Sequence, residues 1–334
     1  MQLPKFVQIE PVGQCNLRCR MCPIQFRKDG ARGGPAAFMR YETFCQLVDQ
    51  FRAMEELHLQ GLGEPMLHPR FFDMVRYASA RGIQVSTNTN LTVCTEARVR
   101  DCLESGLRKL YVSLDGATAE VFEQIRLGAK FEKMMRNLDR LTTLWRTFPF
   151  QGEPMHIGIV VVAMRMNLAE LPALVRLAHG FGISDVSVQH LCHDFGEETL
   201  PAHYRPMRNF VDEQTLLHDD PQRVERHFDD ARRVAALLGV TLRLPTISPQ
   251  PDTSRVVPHP RCNWPWHGAY ISYNGEAMPC CMVATPDRIN FGNMAKDGVE
   301  AVWNNGAYNA FRARLEGDDP PDICKSCAVY AGTF

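Results

Sequence analysis

Long apolar runs are missing from these 334 residues, and so is any export signal. No stretch approaches the ~20 residues that a membrane-spanning helix needs. The opening Met1-Gln2-Leu3-Pro4-Lys5 leads straight into a strand-like segment, without the apolar core of a signal peptide. The chain is therefore expected to be cytoplasmic, with no membrane partner. Neither sign of charge dominates either: 37 Lys and Arg stand against 38 Asp and Glu, a net charge of -1. Without a basic stripe, a nucleic-acid partner is not indicated. Cysteine, by contrast, is plentiful. Twelve of them in a chain without an export signal point to metal or redox chemistry, because reducing compartments keep thiols from pairing.

Three cysteines fall on one short loop, Gly13-Gln14-Cys15-Asn16-Leu17-Arg18-Cys19-Arg20-Met21-Cys22-Pro23, directly after the strand-like Phe6-Val7-Gln8-Ile9-Glu10. The C-x3-C-x2-C spacing brings three soft thiolates to one metal centre. Structural zinc requires a fourth ligand, usually as a second Cys or His pair, and none sits nearby. Three thiolates around a 4Fe-4S cluster leave one iron open to chelate a small molecule. The spacing, with its Asn-Leu-Arg filler, resembles the signature of the radical S-adenosylmethionine (radical SAM) enzymes. That resemblance implies that Cys15, Cys19 and Cys22 hold a 4Fe-4S cluster whose unique iron binds SAM.

Strand-like and helix-like segments alternate over the first two hundred residues. Leu57-Gln60, Ile83-Ser86, Leu110-Leu114, Ile157-Val162 and Val186-His190 read as strands after the first. Between them, helical spacing of apolar residues predicts helices over 42–56, 71–81, 95–105, 119–146 and from about 171. Six strands with intervening helices imply right-handed βα units and a parallel sheet, either doubly wound or curled into a barrel. The family resemblance selects a partial (β/α)6 TIM-like barrel for residues 1–195. A helical connector is expected over 196–258, with a helix at 224–238 and a strand Thr241-Leu244. The remainder, 259–334, reads as a small α+β domain with a β-hairpin.

In parallel α/β sheets the active site lies at the carboxyl ends of the strands, and the unusual residues gather there. Strand two ends in Gly61-Leu62-Gly63-Glu64-Pro65, with glycines suited to close backbone approach. It resembles the family's Gly-Gly-Glu segment, which implies that Gly61, Gly63 and Glu64 hold the SAM amino group. Strand three ends in Ser86-Thr87-Asn88-Thr89-Asn90 and strand four in Ser113-Leu114-Asp115-Gly116. Such groups suit ribose hydroxyls or a carboxylate and equally suit turns and caps; the resemblance favours Ser113 and Asp115 for the ribose side, with Asn88 beside them. Arg126 lies in a stretch like the family's Ile-Arg-x-Gly-Ala and is a candidate for the SAM carboxylate or a surface arginine. Asn167 is a candidate cap or adenosine contact.

Near the carboxyl end the cysteine pattern restarts. Arg261-Cys262-Asn263-Trp264-Pro265-Trp266 precedes a strand, an Asn274-Gly275 hairpin turn, Pro279-Cys280-Cys281 and a final Cys324-Lys325-Ser326-Cys327. Cys262, Cys280, Cys324 and Cys327 make a closed four-thiolate site, either structural zinc or a fully ligated iron-sulfur cluster, with Cys281 as an alternative to Cys280. The order of these elements resembles the SPASM/twitch auxiliary-cluster domain in its one-cluster form, which implies an auxiliary 4Fe-4S cluster, two clusters in all.

The resemblance implies reductive cleavage of SAM to a 5'-deoxyadenosyl radical that abstracts hydrogen from a substrate C-H bond, with a one-electron reductant such as flavodoxin or ferredoxin as partner. The main expectation is net two-electron dehydrogenation of a small molecule, such as a sugar, aminocyclitol or other natural-product intermediate. Only fourteen residues precede Cys15, which favours that small substrate over a peptide needing a leader-binding module. The alternatives are epimerisation with Cys192 or Cys281 as hydrogen donor, peptide modification, and a non-catalytic zinc- and iron-binding electron-transfer protein. Cys45, Cys94 and Cys102 are assigned to packing. His58, His68, His156, His179 and His267 receive no functional role, and the histidines between His190 and His227 fit no ligand spacing.

Overall fold

The computed structural model describes residues 1–29, 36–191, 196–247, 262–283 and 285–333. Strand β1 (Phe6–Ile9) is followed by α1 (Tyr41–Gln50), β2 (Glu56–Leu59), α2 (Phe71–Ser79), β3 (Gln84–Thr89), α3 (Glu96–Glu104) and β4 (Lys109–Ser113). Then come α4 (Ala119–Ile125), α5 (Phe131–Thr147), β5 (His156–Ala163), α6 (Leu171–Gly180), β6 (Asp185–His190), α7 (Arg205–Gln214), α8 (Pro221–Leu238) and β7 (Thr241–Arg243). The remainder holds α9 (Trp264–His267), β8 (Gly268–Ile271), β9 (Ala277–Met278) and the short helices α10 (Met294–Asp297) and α11 (Val299–Trp303), then α12 (Gly306–Glu316), α13 (Asp322–Lys325) and α14 (Ala328–Ala331).

All nine strands share one sheet in the order β7-β6-β5-β4-β3-β2-β1-β8-β9, open at both edges. Every pairing is parallel except the β8-β9 hairpin. The barrel expectation holds in its open form. Two features depart from the sequence reading. The strand expected at Thr241–Leu244 forms as β7, but it extends the main sheet beyond β6 instead of standing in a separate connector. The carboxyl-terminal hairpin docks as strands on β1, with Phe6 opposite Gly268 and Ile9 opposite Ile271.

Strand alternation decides what each face of the sheet does. Leu57, Leu59, Val85, Leu110 and Val112 are fully buried beneath the helices. The intervening residues His58, Ser86, Asn88, Tyr111 and Ser113 lie half-buried on the other, concave face. Helix starts follow local chemistry: Thr95 Oγ1 accepts from the Arg98 amide at the head of α3, and Asp220 caps α8 with Pro221 in its first turn.

One long helix was expected over 119–146, but the chain breaks it. Helix α4 ends at Ile125, Gly128 takes a left-handed φ of 93°, and α5 begins only at Phe131. The gap serves the cysteine loop. Freed carbonyls of Ile125 and Leu127 accept hydrogen bonds from the amides of Arg20 and Arg18, each at 2.9 Å. A continuous helix would have kept Ile125 and Leu127 for its own ladder.

Candidate active site

The cysteine loop crosses the carboxyl ends of β1 to β4, pinned to the break between α4 and α5. A local turn shapes it: the Cys22 amide donates to the Cys19 carbonyl at 3.0 Å, and Gln25 Nε2 donates to the same oxygen at 2.8 Å. An open cleft of about 430 Å³ lies beneath it. Cys15, Cys19 and Cys22 line this cleft together with Gly61, Gly63, Glu64, Asn88, Ser113 and Arg126. Burial pushes the Cys15 thiol up to about 12 and raises Cys19 and Cys22 as well, with Cys19 further raising Cys15, and Cys19 and Cys15 further raising Cys22. Three crowded thiols that resist ionisation alone suit a cationic iron centre, which supplies the missing compensation.

Glycine has a specific purpose here. A Cβ on Gly63 would overlap the Val12 carbonyl oxygen and approach the Gln14 carbonyl, and one on Gly61 would overlap the Glu10 side chain. The pair therefore lets the β2 loop lie flat on the β1 loop, rather than only clearing space for a ligand. Gly63→Ala is expected to force the two loops apart and weaken SAM binding by at least tenfold while cluster content is kept; equilibrium dialysis of SAM against reconstituted protein measures it.

Glu64 departs from the role that the resemblance gives it. Its carboxylate is 3% exposed and already accepts from Met66 N at 3.2 Å, Thr89 Oγ1 at 2.7 Å and Asn90 N at 2.7 Å. Burial raises its pKa, and those three donors pull the other way. The residue ties the ends of β2 and β3 together, and one lone pair at most remains for a ligand. Two further candidates lie off the cleft. Asp115 is fully buried; Oδ1 accepts from Val162 N at 2.7 Å, and Oδ2 stands 2.6 Å from Arg126 Nη2, an ion pair not aligned as a hydrogen bond. Asn167 is equally buried, donating to the Asp115 and Val162 carbonyls and accepting from Met164 N. Both point inward because β4 and β5 diverge there and their unpaired backbone groups need partners. Asp115 pairs with Arg126, Asn167 holds the backbone of Asp115, and neither lines the cleft.

Arg126 is 7% exposed, with Nη1 4.0 Å from Cys19 Sγ and Nε without a partner. An orphaned buried guanidinium N-H beside the cleft fits an anionic ligand group such as the SAM carboxylate. Sequence reading passed over Asn90, whose Nδ2 lies 3.6 Å from Cys15 Sγ and 3.2 Å from Asn16 Oδ1. Its place at the end of β3, two residues past Asn88, was the available signal.

The second cysteine set lines a separate, small pocket, with Cys262, Cys280, Cys324 and Cys327 in its wall. Cys281 instead lines the large cleft, although it stays within electrostatic reach of Cys262 and Cys327. Consecutive residues pointing to opposite sides explain the split. Cys192, the other hydrogen-donor candidate, lies outside the described residues.

Comparison with known proteins agrees with this geometry. A profile of the Radical SAM superfamily matches residues 9–162, and one for an iron-sulfur cluster-binding domain, SPASM, matches residues 262–328. Mycofactocin maturase MftC of Mycobacterium tuberculosis is 31% identical over 95% of this chain and 73% of its own length. The chain belongs to the radical SAM superfamily. Among other relatives, a tungsten-containing aldehyde ferredoxin oxidoreductase cofactor-modifying protein of Pyrococcus furiosus is 25% identical over 97% of this chain and 87% of its own. The PqqA peptide cyclase of Ruegeria pomeroyi is 26% identical over 94% and 77%. Streptococcus suis SuiB, solved with its precursor peptide SuiA, superposes with a TM-score of 0.72 at 15% identity over 99% of this chain and 71% of that one, a likeness of fold.

As a radical SAM enzyme with a SPASM region, the protein binds SAM, a 4Fe-4S cluster and auxiliary iron-sulfur. The donor chemistry suits these groups: three thiols on one loop, Cys19 buried and Cys15 and Cys22 half-buried, beside an orphaned guanidinium, and four thiols lining a separate pocket. No helix among the described residues is long and apolar enough to cross a membrane.

Proposed function

We propose that this radical SAM enzyme modifies a peptide. The observation that carries the reading is similarity to a maturase and a peptide cyclase across both cysteine regions, 94–95% of the chain. Dehydrogenation of a sugar or aminocyclitol, the main expectation from sequence, has weaker support from these relatives than the peptide alternative.

With SAM and a reduced cluster bound at Cys15, Cys19 and Cys22, the chemistry supplied is hydrogen abstraction by a 5'-deoxyadenosyl radical. The chain's own residues bind and orient. Arg126 holds the SAM carboxylate, Asn88 and Ser113 face the ribose, and Glu64, Asp115 and Asn167 keep the loops in register. Cys262, Cys280, Cys324 and Cys327 hold the auxiliary cluster.

The test uses anaerobically reconstituted protein with SAM and dithionite. Synthetic peptides encoded by short reading frames beside its gene are compared with a panel of sugars and aminocyclitols. Substrate-dependent 5'-deoxyadenosine with a changed peptide mass is expected; turnover of the alcohols alone would overturn the reading.

A further inference from the structure

Barrels whose interiors are packed fill them with branched aliphatic side chains. The concave face of this sheet is polar instead, with His58, Asn88, Tyr111, Ser187 and Gln189 at alternate strand positions. It forms a further open cavity of about 560 Å³. His58, Asn88, Val160 and Gln189 line both this cavity and the SAM cleft, so the two are continuous.

At the far end of the lumen stand four charged or titratable groups: Lys109, His156 and Asp185 open β4, β5 and β6, and Arg243 closes the short β7 opposite Ser187. They belong to β4, β5, β6 and β7 in turn, with Lys109 directly opposite His156 in register. Asp185 is committed twice, Oδ2 to His156 Nε2 and Oδ1 to Arg243 Nη2, each at 2.7 Å. Lys109 makes no ion pair or side-chain hydrogen bond among the described residues. Arg243, half-exposed, is the cation paired with Asp185, and Lys109 stands in excess of it, leaving this end positive. Gly158 belongs to the same arrangement: a Cβ there would stand 2.8 Å from Tyr111 Cδ1 and 3.2 Å from Asp185 Oδ2, so its absence lets the Tyr111 ring lie along the lumen wall.

We propose that this end of the lumen is an anchoring subsite in which Lys109 and Arg243 hold a carboxylate of the substrate while the carbon to be activated lies in the SAM cleft. The inference rests on the peptide reading for its occupant. Lys109 and Ser113 mark the two ends along β4, four residues apart, which is about 13 Å at the strand rise. An extended peptide covers that length in about four residues. The substrate therefore carries a carboxylate, from Asp, Glu or its own terminus, about four residues from the modified position.

Two measurements on cluster-loaded, SAM-bound protein test this. In the first, reductive methylation of Lys109 is followed by mass spectrometry in the presence of glutarate or its neutral counterpart glutaramide, with exposed Lys133 as internal reference. Glutarate is expected to slow labelling of Lys109 several-fold and leave Lys133 unchanged, glutaramide to do nothing, and Arg243→Gln to abolish the protection. Absence of protection by glutarate overturns the subsite. In the second, a randomised heptapeptide library is panned against the protein, with each peptide made both as free acid and as amide. Enrichment of Asp and Glu in both forms assigns the side-chain carboxylate, and preference for the free acid assigns the terminus; either preference is expected to fall in Lys109→Gln. Retained peptides without any carboxylate preference overturn the subsite. Protection by glutarate with no peptide retained keeps the anion subsite and sinks the peptide reading.

Discussion

Glu10→Ala should cost about 3 kcal/mol of stability, toward the lower end of what losing one partner of a buried ion pair costs. Arg27 Nη1 meets Glu10 Oε1 at 2.7 Å, and the two side chains are 1% and 0% exposed. Removing Glu10 leaves the guanidinium in the interior with Asp29 as its remaining partner. Asp29 still makes two hydrogen bonds to it, at 2.6 and 2.9 Å, which keeps the loss from being larger. Glu10 does more than balance charge. Oε1 also accepts from Leu62 N in the β2 loop at 3.0 Å, and Oε2 accepts from Tyr273 N, just past β8, at 3.4 Å. The Tyr273 hydroxyl donates to the Asp29 carbonyl, and its ring lies 5.1 Å from the Arg27 guanidinium. One carboxylate thus joins β1, the glycine loop of the SAM cleft and the carboxyl-terminal hairpin. Urea denaturation of the protein without its iron-sulfur clusters measures the cost, and a loss below about 1 kcal/mol would show that the Glu10–Arg27 network is not a clasp. Glu10→Leu with Arg27→Met should recover most of the stability, because a well-packed apolar pair can replace a buried ion pair. It should not recover tight SAM binding, since the Leu62 amide stays without its acceptor.

Cys19→Ala is expected to abolish SAM cleavage and lower iron from about eight to about four atoms per chain, the change for one of two 4Fe-4S clusters. The loop should survive the change. Its turn is held by the Cys19 carbonyl, which receives Cys22 N and Gln25 Nε2, and by the amides on either side, which reach Ile125 and Leu127. None of these bonds uses the thiol. Iron and acid-labile sulfide assays on anaerobically reconstituted protein, with circular dichroism as the folding control, check both parts. Iron falling from about four to none, with one zinc retained, would instead make the carboxyl-terminal site structural zinc.

Much of the arrangement was legible in the chain because it is written locally. The C-x3-C-x2-C loop, the terminal C-x2-C and the βα alternation are each short-range patterns, and strand ends are where such sheets place chemistry. What escaped depends on partners far apart in sequence. Nothing near Glu64 announces that Thr89 and Asn90 occupy its carboxylate, and nothing near Asp115 and Asn167 says that they face inward. The break at Arg126 to Lys130 was hidden because helical spacing resumes after Gly128 and averages over the gap. Cys280 and Cys281 could not be separated until their backbone was placed. The lumen was readable and missed: polar residues alternate with apolar ones in Glu56–Leu59, Gln84–Thr89 and Lys109–Ser113, which signals a wet concave face and not a packed interior. His58 and His156, set aside as structural, both lie on it.

The pairing of β8 with β1 fixes something that a linker could not. The cysteine trio leaves the end of one strand, and Cys280 and Cys281 follow the hairpin begun by its immediate neighbour, about 4.8 Å away in the hydrogen-bonding direction. The span between the two cysteine sets is therefore ruled by backbone register rather than by the swing of one body against another. Solvent viscosity should leave its length unchanged, whereas a one-residue slip between two strands would alter it.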